Sequence, residues 1–393
     1  MAVITGLELL IDDPAPVADH RWALLANHAA VTRELEPARS ALMRSCGAPA
    51  LLFAPEHGIE GIAQDMEGVG DGLDELTGVA VRSLYGNESS TLSPSPEDLE
   101  NLDAVVVDVP DIGSRYYTFA ASMDGLMDVC ERVGVEVVVL DRPNPLGGVL
   151  REGGLVRLGF ESFVSQLPTP IRHGLTLGEI ALLLQRERYP GLELTVIPCH
   201  GWRREQLFDA TGLPWVPPSP NMPTLETALL YPGLCLVEAT NLSEGRGTTR
   251  PFHLVGAPWI EPRHLVENLK ALELPGVAFR AAWFRPEFQK YAHEICGGVE
   301  LHVIDRRRLE PLALGLHLLK TLHDLYPDDF TWRDEPYEFV SGIPAIDLLT
   351  GSGEARGLIE SGGELEPLLD RWNEEARLFG ESLEGVVVRA EAE

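Results

Sequence analysis

The first two hundred residues repeat one rhythm, and that rhythm limits what the chain can become. Short apolar runs, RWALLANHA, APALLFAPEHG, VAVRSLYG, LDAVVVDVPDIG, VEVVVLDRPNP and LELTVIPCHGW, alternate with the longer stretches EPARSALMRSCG, YYTFAASMDGLMDVCERVG and TLGEIALLLQRERY. In SMDGLMDVCERV the apolar residues Met123, Leu126, Met127, Cys130 and Val133 recur three and four apart, as on the buried face of a helix. Strand and helix in alternation predict a mainly parallel sheet. Unbroken Val and Leu in AVVVDV and VEVVVL fit strands covered by helices on both faces. The expected fold is therefore α/β and Rossmann-like in layout. A chain of 393 residues is long for one core, so we expect two domains. The Pro-rich WVPPSPNMPT marks the junction, which gives domains 1–225 and 226–393. The second, with helical HLVENLKALE and PLALGLHLLKTLHDLY and a strand in GGVELHVIDR, reads as a smaller α/β (α+β) unit.

Charge excludes some partners. The formal net charge is −30, a field that repels nucleic acid and anionic membrane. Lys270, Lys290 and Lys320 are the only lysines among 31 basic residues. A GC-rich genome or adaptation to salt would each account for that. The five cysteines are scattered without paired spacing, which suggests neither a disulfide framework nor a zinc knuckle. The opening MAVITGLELLIDDPAP has no basic leader and its apolar run stops at Asp12, so we expect no export signal and a cytoplasmic protein.

Open α/β sheets bind ligands beyond the carboxyl ends of their strands. After LLFA come Glu56 and His57; after AVVV come Asp108, Asp111, Ser114, Arg115, Tyr116 and Tyr117; after VEVVVL come Asp141, Arg142 and Asn144. Carboxylates at three successive strand ends would share one rim. Asp111 reads equally as a helix cap, and Glu179 as support for a helix N-terminus. No G-x-G-x-x-G, Walker lysine, H-E-x-x-H or G-x-S-x-G occurs. What is left is acid and base work by carboxylates, the equipment of glycoside hydrolysis. Two other readings stay open: a metal-dependent hydrolase using His57, Asp108, Asp111 and His173, and a sugar-binding protein without turnover.

FAPEHGIEG, DVPDIGSRYYTF, VVVLDRPNPLGG, HGLTLGEIA, WVPPSPNMPT, LYPGLCLVEATNLSEGRGTTRPF and GAPWIEP, in this order, resemble the exo-β-N-acetylmuramidase NamZ family of YbbC-like proteins. The resemblance covers nearly the whole chain. It implies a Rossmann-like first domain, a smaller second domain and a cleft between them. It also implies release of terminal N-acetylmuramic acid (MurNAc) from the non-reducing end of peptidoglycan fragments such as MurNAc-GlcNAc, without metal or other cofactor. The expected partner is thus a small carbohydrate; oligomeric state is not legible.

Within that resemblance Glu56 is the expected general acid/base, its protonated form favoured by partial burial, with His57 beside it. Asp111 or Glu244 is the second carboxylate. In TNLSEGRGTTRPF, Gly245 and Gly247 would let backbone approach a ligand, while Asn241, Arg246 and Thr248 offer sugar contacts. Arg115, Arg142 and Arg246 are candidates for reading the lactyl carboxylate of muramic acid, with Arg142 equally placed to pair with Asp141. Tyr116 and Tyr117 would stack on sugar, with one of them packed inward. His173, Ser219 and Asn221 complete the expected contacts.

Overall fold

A computed structural model describes residues 3–387. The chain divides into two compact units. The first holds the chain up to Leu150, Gly174–Pro223 and the stretch from Glu381; the second holds Arg151–His173 and Thr224–Gly380. A single junction near residue 225 misses the excursion Arg151–His173, which carries His173 into the second unit.

In the first unit, seven strands form one sheet in the order β3-β4-β2-β1-β5-β6-β7. They are β1 (Trp22–Ala26), β2 (Leu51–Ala54), β3 (Gly72–Leu73), β4 (Ala80–Ser83), β5 (Ala104–Asp108), β6 (Glu136–Leu140) and β7 (Leu194–Ile197). All neighbouring pairs are parallel except β3 with β4. Each strand read from the sequence is present; the two-residue β3 is too short to leave a pattern. Strands β1 and β5 are buried at every residue, as their unbroken apolar character requires.

Four helices belong to this unit: α1 (Gly6–Asp12), α2 (Ala38–Cys46), α3 (Phe119–Val133) and α4 (Leu177–Glu187). The apolar run of the N-terminal segment is α1, opened by a capping box between Thr5 and Glu8. In α3, Met123, Leu126, Met127 and Cys130 are fully buried. Val133 departs from the expected core face and is 41% exposed, because the helix ends there at Gly134 in a left-handed cap. Glu179 takes its expected place in a capping box with Thr176 at the start of α4.

The second unit contains a three-stranded antiparallel sheet, β8 (Leu254–Ala257), β9 (Val277–Phe284) and β10 (Cys296–Val303), in the order β8-β10-β9. Its helices are α5 (Leu225–Leu234), α6 (Pro262–Ala271), α7 (Pro311–Leu325), α8 (Ala345–Thr350), α9 (Glu354–Ser361) and α10 (Glu366–Glu381). Helices α5 and α7 meet where Gly233 faces Gly315, and a Cβ on either would strike the other helix's backbone. Among the described residues no helix is long and apolar enough to cross a membrane.

Candidate active site

In the first unit the sheet winds from β1 outward to β2 on one side and to β5 on the other, so β1 and β5 flank the point where strand order reverses. The loops that leave β2, β1, β5 and β6 share one rim because these strands are parallel. They carry, in that spatial order, Glu56 and His57, Asn27 and His28, Asp108 and Asp111, and Asp141 and Arg142.

Glu56 is 5% exposed. Its Oε2 accepts from the Thr118 hydroxyl at 2.7 Å and its Oε1 from the Met66 amide at 3.2 Å. His57 adopts φ +71°, a left-handed backbone uncommon outside glycine, at the tip of the turn after β2. Its Nδ1 donates to the Ala63 carbonyl at 2.9 Å, which fixes the tautomer because a carbonyl can only accept. Tyr117 lies nearby, buried and tilted against Phe119 with ring centroids 4.9 Å apart. Burial, and after it the charges of Glu56 and Asp111, push the Tyr117 phenol far above its ordinary value, against a hydrogen bond with Ser219.

Asp111 accepts from the Gly113 amide at 2.6 Å, an Asx turn rather than a helix cap. It also lines a pocket at the reversal point, about 560 Å³ including space open to solvent. Val31 and Thr32 after β1, Pro110 after β5, Pro143 after β6, and Trp215 wall this pocket. Asp111 and Arg142 are the charged residues in its lining.

Arg142 pairs with Asp108, not with the adjacent Asp141. Its Nε and Nη2 meet the two carboxylate oxygens at 2.5 and 2.8 Å, and both terminal nitrogens donate to the Val31 carbonyl at 3.2 Å. Asp141 instead accepts from the Gly178 amide at 2.8 Å, at the start of α4. Burial, helped by the Glu179 charge, pushes its carboxyl up to about 7 against that hydrogen bond. Asn144 bonds Leu175 and Leu146 and shapes its own turn. Ser114 and Arg115 are fully buried, and burial lowers the Arg115 guanidinium to about 10. Tyr116 is buried as well, so both tyrosines pack inward.

The Pro-rich Trp215–Thr224 segment is strapped to this rim. Asn27 donates to the Pro218 carbonyl and His28 Nε2 to that of Pro217, each at 2.9 Å, while Asn221 donates to Gln64 at 2.9 Å. Sequence reading overlooked Asn27, His28, Gln64 and Thr118. The first two directly follow β1, where the strand-end rule that selected Glu56 would have found them.

In the second unit the loop Thr240–Phe252 contains a buried charge network. Arg246 Nη1 meets Glu238 at 2.7 Å and Glu244 at 3.2 Å, and its guanidinium lies 4.9 Å from the Phe252 ring centroid. Lys290 Nζ reaches Glu244 at 3.2 Å. Burial works to raise the Glu244 carboxyl, but Lys290 and Arg246 overcome it and hold it below the ordinary value. Asn241 bonds Asp329 and Thr331, and Thr248 bonds Gly245. Gly247 has φ +76°, and a Cβ there would lie 2.5 Å from the Phe288 carbonyl oxygen. The close approach that the glycines were expected to grant a ligand is thus taken by the protein's own backbone. His173 is fully buried in this unit.

Among the described residues no three His, Cys, Asp or Glu side chains gather as they would around a metal ion. Asp108 is taken up by Arg142, and His57 Nδ1 by Ala63.

Carboxylates at the strand-end rim of a Rossmann-like sheet, beside a pocket, place the protein in the class of α/β proteins that bind their ligands beyond the carboxyl ends of the strands. The comparisons narrow it. Residues 22–226 match the model of the exo-beta-N-acetylmuramidase NamZ N-terminal domain, and residues 229–387 that of its C-terminal domain. The chain belongs to this family and is a glycosidase. It is 42% identical over 382 residues to the peptidoglycan beta-N-acetylmuramidase NamZ of Bacillus subtilis (strain 168), covering 97% of this chain and 90% of that one. Crystal structures of two DUF1343 family proteins from Bacteroides fragilis NCTC 9343 share the fold. One has a TM-score of 0.88 at 32% identity, covering 98% of this chain and 99% of that one. The other has a TM-score of 0.76 at 27% identity over the full length of both.

Proposed function

We propose that the protein removes terminal β-linked N-acetylmuramic acid from the non-reducing end of peptidoglycan fragments such as MurNAc-GlcNAc, with Glu56 as general acid/base and Asp111 as the second carboxylate. The observation that carries this reading is that the loops after β2 and β5, on either side of β1, bring to one rim a buried Glu56 held by Thr118 and Met66 and an Asp111 that lines the pocket. Glu56 passes a proton to the oxygen of the leaving sugar as its bond to the anomeric carbon breaks. Asp111 faces the positive charge that develops on that carbon, and water adds its oxygen there and gives up a proton, which restores the protonated Glu56. Proline and tryptophan walls suit the apolar face and acyl groups of an N-acetylated sugar. Of the three arginines raised from the sequence, Arg142 is the one lining the pocket; with Nε and Nη2 on Asp108 and both terminal nitrogens on Val31, one Nη1 N–H is left, and we assign it a single hydrogen bond to the lactyl carboxylate. Glu244 is assigned to holding its loop, because Lys290 and Arg246 take up its charge.

Incubation with MurNAc-GlcNAc and with GlcNAc-MurNAc, read by mass spectrometry, tests substrate and direction together. Release of monosaccharide from the first alone is expected. Release from the second, or from neither, refutes the assignment.

A further inference from the structure

Lys290 sits in surroundings usually given to a metal ion. Its Nζ contacts the carbonyl oxygens of Val237 and Glu238 at 3.3 Å, that of Leu242 at 3.0 Å, and the Glu244 carboxylate at 3.2 Å. Two of the carbonyls belong to the 3₁₀ turn Cys235–Ala239, close to its end, where partial negative charge collects. A cage of main-chain carbonyls with one carboxylate is the kind of oxygen shell that hard cations occupy.

The segment that delivers the ammonium is strained. Gln289, Tyr291 and His293 have φ of +67°, +57° and +66°, three non-glycine residues in the left-handed region on either side of Lys290. The same segment docks on the glycine loop through Glu287, whose amide donates to the Gly247 carbonyl at 2.9 Å. Residue choice agrees with this geometry. In a chain whose bases are nearly all arginine, the cage holds one of three lysines. A lysine ammonium is a compact point charge, whereas a guanidinium is a flat fork whose donors point outward in one plane.

We propose that the oxygen cage formed by Val237, Glu238, Leu242 and Glu244 is a monovalent-cation site in which the Lys290 ammonium is the resident ion, tethered by the chain, and that this ion holds the Thr240–Phe252 loop in place. Removing the side chain converts a built-in ion into an exchangeable one. General screening of the −30 charge acts alike for all monovalent salts, so ion identity separates the two effects.

The test is thermal unfolding, with amide exchange of the loop, for the parent, Lys290→Ala and Lys290→Arg in LiCl, NaCl, KCl, RbCl and methylammonium chloride at matched ionic strength. The parent should melt at the same temperature in every salt. Lys290→Ala should melt several degrees lower in LiCl, with faster exchange across the loop, and should recover most of that loss in KCl, RbCl or methylammonium. Lys290→Arg should stay low in all five. Recovery that follows ionic strength whatever the ion, a Lys290→Ala protein as stable as the parent, or full replacement by arginine would each overturn the proposal.

Discussion

Glu56 and Glu244 are both buried glutamates on loops, yet their surroundings differ in kind. The described hydrogen bonds to Glu56 come from a hydroxyl and a backbone amide, and a neutral phenol stands nearby. Glu244 is contacted by an ammonium and a guanidinium. A carboxylate contacted by two cations, as Glu244 is, is held in its charged form and acts as a joint, whereas the described hydrogen bonds to Glu56 bring no cation to it. On the function we propose, the contrast separates chemistry from architecture in a chain rich in acids.

The strongest way to break this comparison is Glu56→Gln. It should lower kcat on a chromogenic MurNAc glycoside by roughly 10²–10⁴-fold, the usual contribution of general acid–base catalysis, while the unfolding midpoint stays near the parent's. A near-parental rate would place the chemistry elsewhere. Glu244→Ala should do the reverse in kind, costing about 3 kcal/mol of stability in denaturant unfolding, because the half-buried Lys290 loses its carboxylate and the buried Arg246 keeps only Glu238. Because the Glu244 carboxyl is held below its ordinary value, its contribution is complete above about pH 4.5. It is lost as the pH falls through the lower folded value, so the variant's stability should depend less on pH in that acid range. Gly247→Ala sharpens the architectural side. With φ at +76° and the Phe288 backbone in the way, it should cost more than about 1 kcal/mol.

Asp141 supplies an effect of the opposite sign, read as a slope against pH. Its carboxyl is raised to about 7, so the folded protein keeps a proton there that the unfolded chain loses from about pH 4 upward. Stability from this group is whole below the unfolded value and declines as the pH rises toward 7. Asp141→Asn should therefore melt with a shallower decline between pH 4 and 8, measured by calorimetry across that range. A parental slope would show that the carboxyl is ionised throughout.

The rim was legible because it follows from period and polarity alone. Residues at or just after the carboxyl end of a buried parallel strand lie at the ligand-side rim of the sheet, and Glu56, Asp108, Asp111 and Arg142 were found that way, although Asp141 obeys the same rule and turns to the start of α4. Asn27 and His28 obey the same rule and were missed only because their side chains are less obviously chemical. The glycine loop was harder. A string of hydroxyls, an amide and two charges looks the same whether it faces a sugar or its own protein.

Local sequence therefore determined the strands, the helix starts and the side chains at the strand ends, since these depend on neighbours within a few residues. Tertiary structure decided which charges neutralise one another. Arg142 finds Asp108 across 34 positions and Lys290 finds Glu244 across 46, although each arginine and lysine has many acids to choose from. The Coulomb term between two charges depends on distance in space and on burial, and neither is written in their order along the chain.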